Sequence, residues 1–458
     1  MIRRLRKFLF WALLWAGIAA PAATALPPLE PLSPPASGER ILILAPHEDD
    51  ETLGAGGLIQ QAVTAGASVR VVYLTYGDHN ELAFLLYRKR PWLTPRIREQ
   101  MGQLRRDEAT EAMAYLGVAE KDLVFLGYPD GATLEIWKRH WGRMPPMVSR
   151  ATRKTAVPYD NALSYGHSHR GEEILKDLQQ QLLEFHPTRI FVTQPVDAQP
   201  DHRAYFLFLE AALRGLVGRI PPAQVFTYPI HLGPWPVPTG AHPQEPMPFP
   251  KRLADDETPW WSLELTPEQA RRKLAAIGIY KTQTVNNRSW MQGFARRNEL
   301  FNSVPDIPLR KEEWSSVQGL VARSETEEYE KEGDSQTHVT GVSYRDAGEA
   351  LQVRIALRRP LDRDLGVSIL AFGFRRDRPF GAMPKLRVVW RLERLHLSDR
   401  GFAVRKSGAT AEGTPKSVLV TLPWRLLGEP ETVFIQAQGQ VNRLSVSQTS
   451  WRVLLRHE

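Results

Sequence analysis

A chain of 458 residues is too long for a minidomain and, at roughly 150 residues per domain, predicts two or three units with room for a large core. Hydrophobic residues at 42% and charged residues at 24% exclude a disordered chain, and the only long apolar run lies at the extreme N-terminus, which excludes a polytopic membrane protein. The absence of cysteine removes disulfides, thiolate metal sites, iron–sulfur clusters and cysteine nucleophiles, so any metal chemistry must use His, Asp and Glu.

At the N-terminus, Arg3, Arg4, Arg6 and Lys7 precede an apolar stretch from Phe8 to Ala20, followed by Pro21 and the small-residue site Ala23-Thr24-Ala25. That order predicts a secretory signal peptide over residues 1–25, cleaved after Ala25, and hence an exported periplasmic or extracellular protein. The alternative is an uncleaved membrane anchor; membrane contact is expected only through this segment. The net charge of +8 then falls to about +4, because four basic residues and no acid lie in the signal. Without a long basic run, this is not the footprint of a nucleic-acid-binding protein. Residues 26–38 are rich in proline and read as an extended tether.

From Arg40 the chain alternates strand and helix. Arg40 to Ala45 and Arg189 to Thr193 are apolar runs of the kind found in fully buried strands, Ser68 to Thr75 is a further strand, and Leu123 to Leu126 a short one. Helices are predicted at Leu53 to Ala65, Ile97 to Leu116 with Gly117 closing it, and Glu172 to Phe185. The pattern predicts an α/β, doubly wound, mostly parallel sheet over residues 39–310, with a site where the loops after Ala45, Thr75, Leu126 and Thr193 converge at the carboxyl edge. Residues 311–336 are charged and read as a linker, in which Ser316 to Gln336 could form a helix. Residues 337–458 carry short alternating runs (Leu351 to Leu357, Val367 to Phe374, Leu386 to Leu395, Val418 to Leu422, Val433 to Gln438, Trp451 to Leu455) and are predicted to form a C-terminal all-β sandwich.

The loop after the first buried strand reads Pro46-His47-Glu48-Asp49-Asp50-Glu51. An imidazole and adjacent carboxylates in a turn cost desolvation and repulsion unless a cation or proton relieves them. His47 and Asp50 could face one divalent ion while Asp49 stays free to accept a proton; the alternative is a helix cap with an exposed acidic loop. Gly54, Gly56 and Gly57 do not have dinucleotide-loop spacing, and the acids before them would repel a pyrophosphate. A third ligand is sought at the end of another strand. Asp197-Ala198-Gln199-Pro200-Asp201-His202-Arg203 supplies His202, which by itself would be a capping or core histidine.

P-H-x-D-D-E followed far downstream by D-x-x-P-D-H-R-A resembles the PIG-L/LmbE-like family of zinc-dependent de-N-acetylases. Arg105-x-x-Glu108, Gly127-Tyr128-Pro129-Asp130-Gly131 and Lys273-x-x-Ala276-Ile277-x-x-Tyr280-x-x-Gln283 extend the resemblance over Ile41 to Phe301. It implies His47, Asp50 and His202 as ligands of one Zn2+ ion, with another divalent metal as the alternative, and Asp49 as general base. It also implies Arg105 and Asp130 as holders of sugar hydroxyls, against the plainer reading of a structural ion pair.

Many family members carry a second histidine where this chain has Gln199, which can donate a hydrogen bond to an oxyanion but cannot shuttle a proton. His79, in the loop after the second strand, and His167 or His169 are candidate substitutes, each also readable as an ordinary loop histidine. Trp235, Trp260 and Trp261, in a proline-rich connection, could stack on a sugar or simply pin the loop. Trp390, Trp424 and Trp451 could face a glycan from the β domain or belong to its core. The expectation is an exported hydrolase that removes an N-acetyl or short N-acyl group from an amino-sugar substrate. Its rivals are a catalytically silent glycan-binding protein and a zinc amidase acting on a non-sugar amide.

Overall fold

The computed structural model describes residues 26–89, 91–253, 258–318, 321–323, 339–358, 360, 365–441 and 444–456. The predicted signal segment, residues 1–25, lies outside them. Among the described residues no helix is long and apolar enough to cross a membrane.

The first half is built on an eight-stranded sheet. Its centre is five parallel strands: β2 (Arg40–Ala45), β3 (Ser68–Thr75), β4 (Leu123–Tyr128), β5 (Arg189–Thr193) and β6 (Gln224–Tyr228), in the order β6-β5-β2-β3-β4. β2 lies between β3 and β5, with Ile43 opposite Val71 on one side and Phe191 on the other. The chain therefore winds outward from β2 in one direction and later resumes on its other side. That reversal opens a crevice at the carboxyl ends of β2 and β5, where doubly wound sheets bind ligands. β8 (Asn298–Asn302) runs antiparallel to β6 and to β7 (Trp260–Glu264), and β1 (Leu29–Pro31) closes the edge parallel to β7. The predicted tether is thus partly fastened: Leu32 N–H donates to Ser262 O at 2.9 Å and Arg189 to Ser33 O at 2.9 Å.

Helix α1 (Asp50–Thr64) carries the glycines. A Cβ on Gly54 would lie 2.1 Å from the Tyr228 ring, so this glycine lets the helix approach the sheet closely. The helix is interrupted at Ala55, and beyond the break the Gly57 and Leu58 amides donate to the Glu299 carboxylate at 2.7 and 2.9 Å. Lys273, on α7 (Pro267–Ile277), pairs with the same carboxylate at 2.6 Å, both side chains buried. The other helices used below are α2 (Glu81–Arg88), α3 (Pro95–Leu116), α4 (Thr133–Arg139), α5 (Gly171–Phe185), α6 (Pro200–Gly215) and α8 (Lys281–Gln292).

The second half holds two antiparallel sheets around a separate apolar core that includes Val353, Ile355, Ile369, Val420 and Ile435. The sandwich begins earlier than expected. β9 (Ile307–Leu309), β10 (Ser315–Gln318) and β11 (Val321–Arg323) already pair into its sheets, so the described parts of the predicted linker helix are strands; residues 319–320 and 324–338 lie outside the described residues. The run Leu386 to Leu395 is also two strands, β15 (Lys385–Arg391) and β16 (Arg394–Asp399). Leu392 and Glu393 turn between them with φ of 51° and 56°, the left-handed pair of a tight hairpin without the Asn-Gly that usually announces one.

Strand β14 (Leu365–Phe374) is buried on both faces. Ile369 and Ala371 enter the sandwich core, whereas Leu370, Phe372 and Phe374 join the core of the α/β part. Trp137 of α4 is the centre of that junction, its ring 5.1 Å from Phe208 and Phe380, 5.3 Å from Phe434 and 6.0 Å from Phe372. Trp390, Trp424 and Trp451 are buried, so none faces a glycan, and Trp260 and Trp235 pack their connection. Trp137→Ala is expected to lower the unfolding free energy by about 3–5 kcal/mol, read by denaturant unfolding; a loss below about 1 kcal/mol, the scale of an ordinary point mutation, would show that the aromatic junction does not hold the halves together.

Candidate metal centre

The crevice between β2 and β5 receives two loops. Thr75 fastens the first, its N–H and Oγ1 both donating to Pro46 O at 3.1 and 3.0 Å. Asp49 is the residue before α1, with φ of 152°, a conformation costly for a side-chain-bearing residue. Its carboxylate makes no capping bond, while the His47 N–H donates to Asp50 Oδ2 at 3.0 Å. The second loop places His202 in the first turns of α6.

These loops bring together the three predicted ligands. His47 Nδ1 lies 3.2 Å from Asp50 Oδ2, His202 Nε2 lies 3.1 Å from the same oxygen, and the two ring nitrogens are 3.3 Å apart. Three such atoms form one face of a tetrahedron around a cation with bonds of about 2.0 Å, whose edges are about 3.3 Å. The buried group of His47, Asp50 and His202 could therefore hold a metal ion.

Each histidine is aimed by a carboxylate on its other nitrogen, the usual support of a ligating imidazole. Asp197 Oδ2 lies 3.1 Å from His202 Nδ1, and Asp130 Oδ1 and Asp201 Oδ2 lie 3.2 and 3.3 Å from His47 Nε2. Asp201 also accepts from the Gly131 and Thr133 amides, and Asp130 from the His79 amide. Their oxygens are engaged in hydrogen bonds, which suits them to orienting His47 rather than to binding a second ion.

The electrostatics follow from burial. Burial alone would depress both imidazoles, but Asp130 and its neighbours hold His47 well above its usual range, and Asp197 and Asp50 hold His202 at about 9. Burial likewise would raise Asp50, yet the two histidines keep it well below the ordinary carboxylate range. Asp49 is pushed up to about 7, chiefly by burial, against the pull of Arg105. A divalent cation bound here would compete with protons for these same imidazole and carboxylate atoms.

Arg105 reaches this loop from α3. Its two Nη atoms donate to Gly77 O and Glu48 O at 2.9 and 3.0 Å, and Nη2 lies 3.6 Å from Asp49 Oδ2. Gly77 has φ of 52°, and a Cβ there would collide with the guanidinium, so the glycine makes room for this brace. Arg105 thus braces the loop, its Nε 3.5 Å from Glu48 Oε2, while also bordering the cavity. The late motif is a second brace. The Tyr280 hydroxyl bonds Glu51 and, at 2.7 Å, Thr52, while Gln283 accepts from Asn80 at 2.7 Å.

A cavity of about 350 Å3 opens over His47 and Asp50, lined also by Asp49, His79, Arg105, Asp130 and Gln199, while His202 lies fully buried behind them. Seven of the eight predicted site residues thus line it, and the eighth, His202, touches His47 and Asp50 from beneath. His167 and His169 do not: His167 pairs with Asp177 at 3.1 Å, and His169 bonds Met147 O at 3.0 Å. Sequence reasoning missed His231 and Trp290. His231 follows β6 at the same carboxyl edge, its amide held by Asp197 at 2.9 Å, its ring 4.9 Å from that of His202 and stacked on Trp290 at 5.1 Å. Recognising Gln224 to Tyr228 as a strand would have nominated it. Among the described residues, none of the β-sandwich lines this cavity.

A protein from Mycobacterium sp. (strain KMS) described as 1D-myo-inositol 2-acetamido-2-deoxy-alpha-D-glucopyranoside deacetylase is 36% identical over 144 residues, 28% of this chain and 45% of that protein. A second, 1D-myo-inositol 2-acetamido-2-deoxy-alpha-D-glucopyranoside deacetylase 1 of Saccharopolyspora erythraea, is 29% identical over 181 residues, 38% of this chain and 54% of its own. The chain thus spans about half the length of the curated relatives it matches. Among solved structures, N,N'-diacetylchitobiose deacetylase from Pyrococcus horikoshii aligns with 57% of this chain and 82% of its own at 18% identity, with a TM-score of 0.34. Residues 42–213, which contain His47, Asp49, Asp50 and His202, match the PIG-L family, GlcNAc-PI de-N-acetylase.

Proposed function

We propose that this chain is an exported, zinc-dependent hydrolase that removes an N-acetyl or short N-acyl group from an amino sugar. The observation that carries the reading is the triangle of His47 Nδ1, Asp50 Oδ2 and His202 Nε2, with a fourth direction open to the cavity and the carboxylate of Asp49 beside it. Two imidazoles and one carboxylate with an open position suit zinc, though another divalent ion fits the same donors. When bound there, the cation polarises the amide carbonyl and makes water acidic enough to be deprotonated near neutrality. The named family, whose relatives are described as deacetylases of a 2-acetamido sugar, supports the amide and the sugar.

The chain's own residues then have distinct tasks. Asp49, engaged only by Arg105, takes the proton of the water that attacks the carbonyl carbon, and returns it to the amine nitrogen as the C–N bond breaks. Acetate and the free amine leave. The Gln199 amide, at the cavity wall, donates a hydrogen bond to the carbonyl oxygen as charge builds on it. Asp130, Asp197 and Asp201 keep the ligand imidazoles aimed, and Trp290 offers an aromatic wall to a sugar ring. Export rests on the order of basic, apolar and small residues through Ala25.

Acetate release from N-acetylglucosamine oligomers, measured together with metal content, tests the reaction. Asp49→Asn should keep its metal and lose turnover by about 10²–10⁴-fold, whereas His202→Ala should lose the metal. Wild-type protein with a full metal complement and no acetate release from any amino sugar would sink the deacetylase reading. Gln199→Ala should lower kcat by about 10²–10³-fold with little change in KM; an unchanged kcat would remove the amide from this role.

A further inference from the structure

A larger cavity, about 570 Å3, lies away from the metal centre, between α4 and the outer face of the sheet containing β14, β15, β16, β20 (Thr432–Val441) and β21 (Leu444–Thr449). Its wall from α4 carries Lys138 and Arg139, and its floor carries Lys385, Arg387 and Arg400, against the single acid Glu135. At least three of these cations already have partners. Lys385 donates to Phe380 O at 2.7 Å, and Arg400 pairs with Asp399 at 3.0 Å and donates to the Gly381 and Met383 carbonyls. Glu135 is engaged by Arg139 at 3.2 Å.

Arg387 is different. Among the described residues no carboxylate lies within ion-pair distance of it, and its Nε is buried with no hydrogen-bond partner. Burial draws the guanidinium below its usual range, and the positive charge of Arg139 adds to that effect against the smaller opposing pull of Glu135. Ser445 Oγ, on the same cavity, is also buried without a partner. A half-buried guanidinium facing a like charge is costly unless an anion arrives to share it. The remaining lining matches one class of anion. Ser398 and Gln448 offer donors and acceptors suited to hydroxyls, whereas Gln438 is bonded to Ser368 and Gln436, and Leu370 and Phe372 are packed into the junction beneath.

We propose that this cleft is a second ligand site, which binds an acidic oligosaccharide with a sugar carboxylate on the guanidinium of Arg387 and Arg139 beside it. A planar guanidinium fork is the side chain best shaped for a carboxylate. Helix α4 joins the two sites: it begins beside Thr133, whose amide is held by Asp201, and reaches the cleft about 10 Å further on, at 1.5 Å per residue. The site stands independently of the deacetylase reading.

The test is calorimetric titration of the intact chain with trigalacturonate, maltotriose and sodium sulfate. Trigalacturonate should bind once per chain, and Arg387→Gln and Arg139→Gln should each weaken it roughly tenfold or more, as expected for loss of a charge-assisted hydrogen bond. Arg139 is 54% exposed at its side chain, so its replacement leaves the fold intact. His202→Ala should bind trigalacturonate as the wild type does. The proposal is overturned by absence of binding, by equal affinity in both arginine variants, by loss of binding in His202→Ala, or by maltotriose or sulfate binding as tightly as the uronate.

Discussion

Four carboxylates, Asp50, Asp130, Asp197 and Asp201, are buried around two buried imidazoles at the carboxyl edge of one parallel sheet. Left ionised and unpaired they would repel one another at a cost that a marginally stable domain could not carry. The arrangement divides them instead. Asp50 joins His47 and His202 in a triangle that fits a cation, and the other three spend their oxygens on ring nitrogens and loop amides. The histidines are thereby locked in one orientation before any ligand arrives, the preorganisation on which both metal affinity and catalysis depend.

Much of the surrounding structure serves that division. Gly54 lets α1 approach Tyr228, and Glu299 with Lys273 secures the amides past the break in that helix. Arg105 and Tyr280 come from distant parts of the chain and meet at the acidic loop, and Gln283 holds the loop after β3 through Asn80. Among the described residues none of the β-sandwich lines the metal cavity, and the sandwich packs on Trp137, on the helix whose N-terminal end is tied to Asp201. That helix runs between the two halves, with a catalytic reading at one end and a basic cleft at the other, beside further contacts of Trp141 with Phe380 and of Arg214 with Phe434.

The legible parts of the fold were those where burial and periodicity agree. Arg40–Ala45, Ser68–Thr75 and Arg189–Thr193 are strands with the predicted bounds, because central parallel strands demand an unbroken apolar run. β8 was not legible: Asn298, Glu299 and Asn302 are buried polar residues used to hold other elements, which erases the strand pattern. The hairpin at Leu392 and Glu393 lacked turn residues, and the proline-rich tether concealed a strand that pairs with β7. In the site, the acidic loop allowed a helix cap as well as a metal for His47 and Asp50, and His202 alone read as a capping or core histidine; the family resemblance implied all three as ligands, and the structure brings them together. Arg105 was legible as a motif position but not as a brace, since its partners are backbone carbonyls that no side-chain pattern encodes. His231 and Trp290 reach the cavity only through the packing of one ring on the other.

The central claim is that His47, Asp50 and His202 bind one metal ion in a tetrahedral site with an open position. Zinc-edge X-ray absorption on the zinc-loaded protein, alongside His202→Ala, measures this most directly. The expected result is one zinc per chain with two imidazole nitrogens and low-coordinate oxygen, all at about 2.0–2.2 Å, and loss of one imidazole in the variant. A six-coordinate shell of oxygen alone, or a spectrum unchanged by His202→Ala, would contradict it.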